Sequence, residues 1–412
     1  MNNPKTHLFL MDMAISGSMN GVSRCIQVIV DSFSKEKAFQ VIWAHFENHQ
    51  GEQITRVSHH GYTQVTIPLP PHLNEFLIYP SRQRELWERA YRELRGDFSL
   101  SGRNILHLHT LNLMPFALYV REREQCRIVS HLHCIPWKAL YNYGDSRFYR
   151  LYQAYYVNND YTKPSDFILH GYERDSYTRS DSVVCVTRCA KDFIQRMLPT
   201  EASPVTVIPN GIADVGVPEF HEQLHVPVRC LFVGNGHPGK GLDAILCALA
   251  LLQMHYELSL VVAGHIPAQQ RRSIMARYPF LDVQFVGILP FAELREYYLS
   301  CDIGLIASVQ EQCSYAAIEM MMFGLPIIST DVDGLHELFA DYPTAMKIPL
   351  VMEAGKSLHA DVRKMAKAIS LLIEDSALRR RMAILARARY RRLYQQRRMT
   401  QALKRLYHNL CK

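Results

Sequence analysis

The chain has 412 residues, enough for two domains of ordinary size with a core in each. Its 48% hydrophobic and 21% charged content is globular, and no apolar run is long enough to span a bilayer. The net charge of +7 is local, since residues 376–412 hold 12 Lys/Arg and no Asp/Glu, leaving 34 against 39 elsewhere; with no nucleic-acid motif present, a protein built around DNA or RNA is excluded.

The start of the chain lacks the layout of a signal peptide, because its apolar run, Leu8 to Met13, is short and contains Asp12. Ten cysteines are scattered without a Cys-x-x-Cys pair or a His/Cys cluster at zinc spacing, which reads as free thiols in a reducing cytoplasm.

His7 to Met13 reads as the first strand. Asn20-Gly21-Val22-Ser23-Arg24 lies in the turn region after it, followed by an apolar helix to Phe33. A glycine-containing loop between first strand and first helix is where α/β folds accept ligands, and a plain tight turn is the other reading. Val41 to Phe46 and Val65 to Leu69 fit further strands, and Tyr79 to Arg95 a charged surface helix. Ile105 to His109 and Ile128 to His133 are two strands whose C-terminal ends carry His107, His109, His131 and His133. Carboxyl ends of parallel strands face the ligand crevice in such folds. Metal binding by the four is a weaker reading, because residues i and i+2 share a face only where a strand ends regularly. Trp137 to Tyr177 holds nine tyrosines and reads either as an acceptor-contacting segment or as an aromatic insertion packing on itself. Asp181 to Val186 and Val205 to Ile212 complete this half, and Ala213 to Val226 is a linker.

Val228 to Val233 opens the second half as a strand, followed by Gly234-Asn-Gly236-His-Pro-Gly239-Lys240-Gly241 and a helix to about Leu252. This is a literal Gly-x-Gly-x-x-Gly, so a dinucleotide fold must be weighed. That fingerprint needs a carboxylate at the end of the next strand to hold a ribose, and Leu258 to Ala263 ends instead in Gly264-His265. Lys240 suits a diphosphate. Val283 to Leu289 and a helix from Phe291 to Cys301 come next.

Residues 302–337 carry the densest signal. Ile303 to Val309 has strand composition, Gln310 to Ser314 is a polar turn, a helix runs to Gly324, and Leu325 to Ser329 is a second strand beginning around Pro326. The helix entering at Ser314 or Tyr315 presents unpaired N–H groups and the positive end of its dipole, a ready site for phosphate. Glu311 precedes that end and Glu319 lies about one turn inside it; taken alone, the two read as solvated glutamates. Leu378 to Lys412 forms one or two helices, with Met399, Leu403, Leu406 and Leu410 in helical register.

Glu311-x7-Glu319, then Gly324-Leu-Pro-Ile-Ile-Ser-Thr-Asp331 and Gly334-Leu-x-Glu337, resembles the donor-site signature of retaining GT-B glycosyltransferases of family 4, and the likeness extends along nearly all of the chain. The run Glu311 to Met322 also looks like a Bacteroidetes-type subgroup. The resemblance implies an α/β fold of the GT-B type, two Rossmann-like domains facing a cleft. The expected division is an acceptor-side domain over 1–212, a linker over 213–226, a nucleotide-sugar domain over 227–390, and a C-terminal helix over 391–412 that crosses back to the first domain.

It implies transfer of a glycosyl group from a nucleotide-diphosphate sugar to an unidentified acceptor (glycan, lipid or peptide) with retention. The alternative is a non-catalytic sugar-nucleotide-binding partner of the same fold. By resemblance, Glu319 accepts from the donor ribose, Glu311 contacts the sugar, and Lys240 with Ser314, Tyr315 and Ala316 holds the diphosphate. Gly21 and His133 line the sugar from the other domain, with His131 the second choice. The family carries Arg where this chain has Asn235, which leaves three readings: Arg24 compensates, which is the favoured one, the donor binds more weakly, or the site no longer turns over. No cofactor and no metal is expected, since protein cations and N–H groups do the work of an ion. The expected location is cytoplasmic. The basic C-terminal helices pair with the acidic remainder or, on the other reading, touch anionic lipid at the inner membrane face.

Overall fold

The computed structural model describes residues 4–14, 21–47, 53–70, 80–134, 172–198, 200–216, 223–341, 343–351 and 358–412. The aromatic segment Trp137 to Tyr177 lies outside them up to residue 171. The chain divides into two compact units: residues 1–208 together with 399–412, and residues 209–398.

The first unit is built on an eight-stranded sheet. Its strands are β1 (Thr6–Ala14), β2 (Phe39–Glu47), β3 (Thr55–His59), β4 (Tyr62–Pro68), β5 (Asn104–Leu108), β6 (Arg127–Leu132), β7 (Ser182–Cys185) and β8 (Val205–Val207), in the order β3-β4-β2-β1-β5-β6-β7-β8. All pairings are parallel except the edge strand β3 against β4. A parallel sheet is covered on both faces, so its central strands carry apolar side chains on both. Leu8 to Met11 are accordingly all buried.

Helix α1 (Gly21–Phe33) buries Cys25, Ile26, Ile29, Val30 and Phe33, a stripe at helical spacing. Helices α2 (Pro80–Leu94) and α3 (Met114–Arg121) supply Trp87 and Phe116, which pack on Phe46. Helix α4 (Arg188–Met197) is capped by the Thr187 hydroxyl, which accepts from Ala190 N.

The second unit has a six-stranded sheet formed by β9 (Val228–Val233), β10 (Leu258–Ala263), β11 (Asp282–Gly287), β12 (Ile303–Ile306), β13 (Ile327–Thr330) and β14 (Met346–Ile348), with a small separate hairpin, β15 (Leu350–Val351) and β16 (His359–Ala360). The six-strand order is β11-β10-β9-β12-β13-β14, all parallel. The chain winds outward from β9 in one direction and resumes beside it with β12. The loops after β9 and β12 therefore diverge at a topological switch point, the place where open α/β sheets bind ligands.

Helices α5 (Leu242–Leu252), α6 (Ala268–Arg277), α7 (Phe291–Ser300), α8 (Tyr315–Phe323) and α9 (Asp333–Leu338) alternate with the strands, and α10 (Val362–Glu374) and α11 (Ser376–Leu393) follow. Nearly every residue of α8 is buried. It stops at Gly324, φ +67°, where Gly324 N donates to Met321 O and Leu325 N to Met320 O; this paired closure favours glycine because a Cβ is strained in the left-handed region.

The last helix, α12 (Gln396–Leu410), contributes its residues from Met399 onward to the first unit. There Tyr407 is fully buried beside Phe33 and Phe39. Of the basic C-terminal residues, Arg379 and Arg389 are buried and several others make ion pairs within their own unit, while most are exposed. Arg379 donates to the carbonyls of Leu372 and Ile373, Arg389 to those of Leu338 and Glu337, and Arg387 pairs with Asp214 at 2.7 Å. Arg389 and Arg392 share Asp341, and Lys404 pairs with Glu36. Among the described residues no helix is long and apolar enough to cross a membrane.

Candidate functional site

Two groups of expected residues stand out, one in each unit. In the second unit the loop after β9 passes through a short 3-10 turn, Pro238–Lys240, and then Gly241 at φ +73° before α5 begins. A Cβ on Gly241 would lie 2.1 Å from Ala307 O, so the glycine lets this loop press against the end of β12. Val309 N donates to Gly239 O at 2.9 Å and ties the two loops together. The result is an ion pair across them, Lys240 Nζ to Glu311 Oε2 at 2.6 Å. Lys240 thus ends the 3-10 turn, two residues before α5 begins.

The Glu311 loop is pinned from behind. Gly334 N donates to Glu311 O at 3.0 Å, and a Cβ on Gly334 would fall 1.6 Å from Gln312 O. Asn210 Nδ2 holds Cys313 O at 2.8 Å. Ser314 is the N-cap of α8, its hydroxyl accepting from Ala317 N at 3.4 Å. Tyr315 and Ala316 are the first helical residues, whose N–H groups have no acceptor within the helix. A helix N-terminus, a lysine and a glutamate thus share one loop region at the switch point. Lys240 has three N–H donors, so pairing with Glu311 leaves donors for an anion.

Glu319 sits deeper, only 1% exposed, and its Oε2 accepts from the Tyr298 hydroxyl of α7 at 2.5 Å. Tyr298 stacks on Phe323 at 5.1 Å, which fixes the ring. Asn235 Oδ1 accepts from His237 N at 3.2 Å and shapes the glycine loop. The Tyr298 contact and the role of Gly334 were missed from sequence, although Gly334 lies within the Gly-Leu-x-Glu motif.

The first unit places Gly21 at the exposed start of α1 and Arg24 in its first turn. Its four strand-end histidines form one stack. His107 lies parallel to His131 with centroids 5.2 Å apart, His131 meets His133 at 4.4 Å, and His109 meets His133 at 5.2 Å. His109 and His133 each lie one residue past their strand, yet the rings of His107 and His109 are 4.3 Å apart, so each i, i+2 pair shares a face. His109 Nδ1 and His133 Nε2 are 2.9 Å apart, and the Tyr407 hydroxyl bonds His107 Nδ1 at 2.6 Å.

Burial drives all four imidazoles toward neutrality. His107 falls to about 3 and His133 to about 4, while His109 and His131 lie well below the usual histidine range. These groups act near neutral pH as uncharged donors, acceptors or ligands, and supply no cation for a diphosphate. Among the described residues, His107 Nε2, His109 Nε2 and both nitrogens of His131 have no hydrogen-bond partner. Leaving such a buried group unsatisfied costs about 1–3 kcal/mol.

Residues 19–214 match the family model described as Glycosyltransferase Family 4, and residues 227–375 match the one described as Glycosyl transferases group 1. A glycogen synthase of Mycobacterium tuberculosis is 26% identical over 225 residues, a match covering 54% of this chain and 52% of that protein. The chain therefore aligns with about half the length of this relative. Among solved structures, a sucrose-phosphate synthase from Thermosynechococcus elongatus superposes with a TM-score of 0.76 at 17% identity, covering 98% of this chain and 99% of that one. HepE from Anabaena, solved with UDP and glucose, gives a TM-score of 0.68 at 16% identity, covering 98% of this chain and 99% of its own. At such identities the likeness shows the fold alone, and that fold is GT-B.

Proposed function

The chain belongs to the glycosyltransferases of the family 4, group 1 type, and on that premise we propose that it transfers a glycosyl group from a nucleotide-diphosphate sugar, with retention of anomeric configuration. The observation that carries this reading is the Lys240–Glu311 pair beside the N-terminus of α8 at the switch point of the second sheet.

In this reading the diphosphate lies against Lys240 and the N–H groups of Tyr315 and Ala316. The ammonium and the helix dipole offset its charge. Preorganised donors of this kind also stabilise the charge that gathers on the leaving diphosphate as the glycosidic bond breaks. Glu311, held by Lys240, turns its remaining acceptor capacity to sugar hydroxyls. Glu319, steadied by Tyr298, serves the ribose hydroxyls. The absence of an arginine at Asn235 leaves Lys240 as the main side-chain cation of this loop pair. From the first unit, His133 is the candidate for sugar contact, with His131 second and Gly21 as a point of backbone approach. The acceptor is a glycan, lipid or peptide, and the protein works in the cytoplasm.

The uridine nucleotides in the solved relatives motivate UDP-sugars as the first donors to test. Incubation with a panel of UDP-sugars, scored for UDP release and for the anomer of any product by NMR, tests the proposal. Donor-dependent UDP release with a product of unchanged anomeric configuration is expected. Tight UDP binding without release from any donor would favour a non-catalytic binding protein.

A further inference from the structure

The histidine stack has a fifth member that the strand pattern does not reveal. Cys25, on the buried face of α1, joins His109, His131 and His133 so that one ligand atom from each lies within 4.8 Å of the others. We propose that these four residues form a binding site for one borderline-soft transition-metal ion, zinc being the reference case.

Three imidazoles and a thiol are a donor set for Zn²⁺ or Co²⁺ and a poor one for Mg²⁺ or Ca²⁺, which take oxygen ligands. The cluster is compact enough for its four ligand atoms to meet one ion. Zn–N bonds of about 2.0–2.1 Å set neighbouring ligand nitrogens about 3.3 Å apart. The four ligand atoms lie within 4.8 Å of one another, a limit that admits that spacing.

A second observation points the same way. His131 is 1% exposed, and among the described residues neither of its ring nitrogens has a partner. Buried polar atoms are otherwise nearly always satisfied, so an ion is a physical reason for this one to be bare. Behind the site, His107 stacks on His131 while its Nδ1 is fixed by Tyr407, which restrains the ligand from its rear face. The proposal departs from the expectation of a metal-free protein. It also assigns His133 a ligand role that competes with contact to a sugar.

The test uses full-length protein without a histidine tag, stripped with chelator and titrated with Co²⁺. The expected result is one equivalent bound, with the visible spectrum of tetrahedral cobalt and a thiolate-to-cobalt charge-transfer band. Excess Zn²⁺ bleaches both. Cys25→Ser removes the charge-transfer band, and Zn²⁺ raises the melting temperature of the wild type but not of His131→Gln. An octahedral cobalt spectrum, or no stoichiometric binding by the folded wild type, overturns the proposal without reference to either variant. These readouts do not involve glycosyl transfer, so their failure leaves the proposed function standing, and the reverse also holds.

Discussion

Lys240 Nζ lies 2.6 Å from Glu311 Oε2, although the two residues are 71 positions apart and sit on loops that follow different strands. Glu311 occupies one of the lysine's donors, so its removal frees charge for a phosphate and takes away an acceptor for the sugar. Glu311→Gln is expected to bind UDP as tightly as the wild type or up to about 1 kcal/mol more tightly, the scale of a partly exposed ion pair. Turnover of a UDP-sugar is expected to fall. Calorimetry with UDP beside a turnover assay checks both halves, and a loss of UDP affinity would show that Glu311 supports the diphosphate.

Glu319 and Tyr298 form the buried end of the candidate site. Glu319→Ala should weaken nucleotide binding by about 1.5–3 kcal/mol, the range for a hydrogen bond to a charged group. Tyr298→Phe keeps the carboxylate and loses one donor, so a smaller loss of about 1 kcal/mol is expected. Unchanged UDP affinity in a folded Glu319→Ala protein would remove the ribose assignment.

If His133 meets the sugar, as under the proposed function, rather than a metal, His133→Ala should lower turnover well before it lowers UDP affinity. Full turnover in this variant would pass the role to His131. If both single variants are silent, neither ring serves the reaction.

A separate pH effect comes from His45, whose Nδ1 meets Asp12 at 2.9 Å and whose Nε2 meets Glu47 at 3.1 Å. Burial by itself lowers this imidazole, but the hydrogen bond and charge of Asp12, with Glu47, carry it above the usual value. A raised folded pKa means that the stabilisation is fully present below the unfolded value of about 6.5 and is lost as pH rises through the folded value. The urea midpoint of the wild type should therefore exceed that of His45→Gln most below the unfolded value of about 6.5, the gap closing as pH rises through the raised folded value. The strand-end histidines titrate in both proteins and cancel in the difference. A gap that widens with pH would contradict the assignment.

What the sequence shows of this fold is what local chemistry writes. Ser314 as a cap, Gly324 before Leu325-Pro326, and Gly241 after Lys240 each mark a backbone event within a few residues, and the structure has each in place. The edge strand Thr55–His59 was not legible, because all five of its residues are exposed and it has no apolar alternation. The Tyr298–Glu319 contact depends on how α7 packs against α8, and Cys25 meets the histidines only once α1 has docked on its sheet. No spacing along the chain encodes either. The same holds for Gly334, whose need for glycine arises from the carbonyl of Gln312 and not from its own turn.

The most direct test of the donor site is the affinity of UDP and of UMP for the wild type and for Lys240→Ala, measured by calorimetry. UDP should bind the wild type more tightly than UMP, because only the diphosphate spans Lys240 and the start of α8. Lys240→Ala should lose about 1.5–3 kcal/mol for UDP, roughly ten- to a hundredfold, and much less for UMP. Equal UDP affinity in the two proteins, with both folded, would contradict the assignment of this loop pair as the diphosphate site.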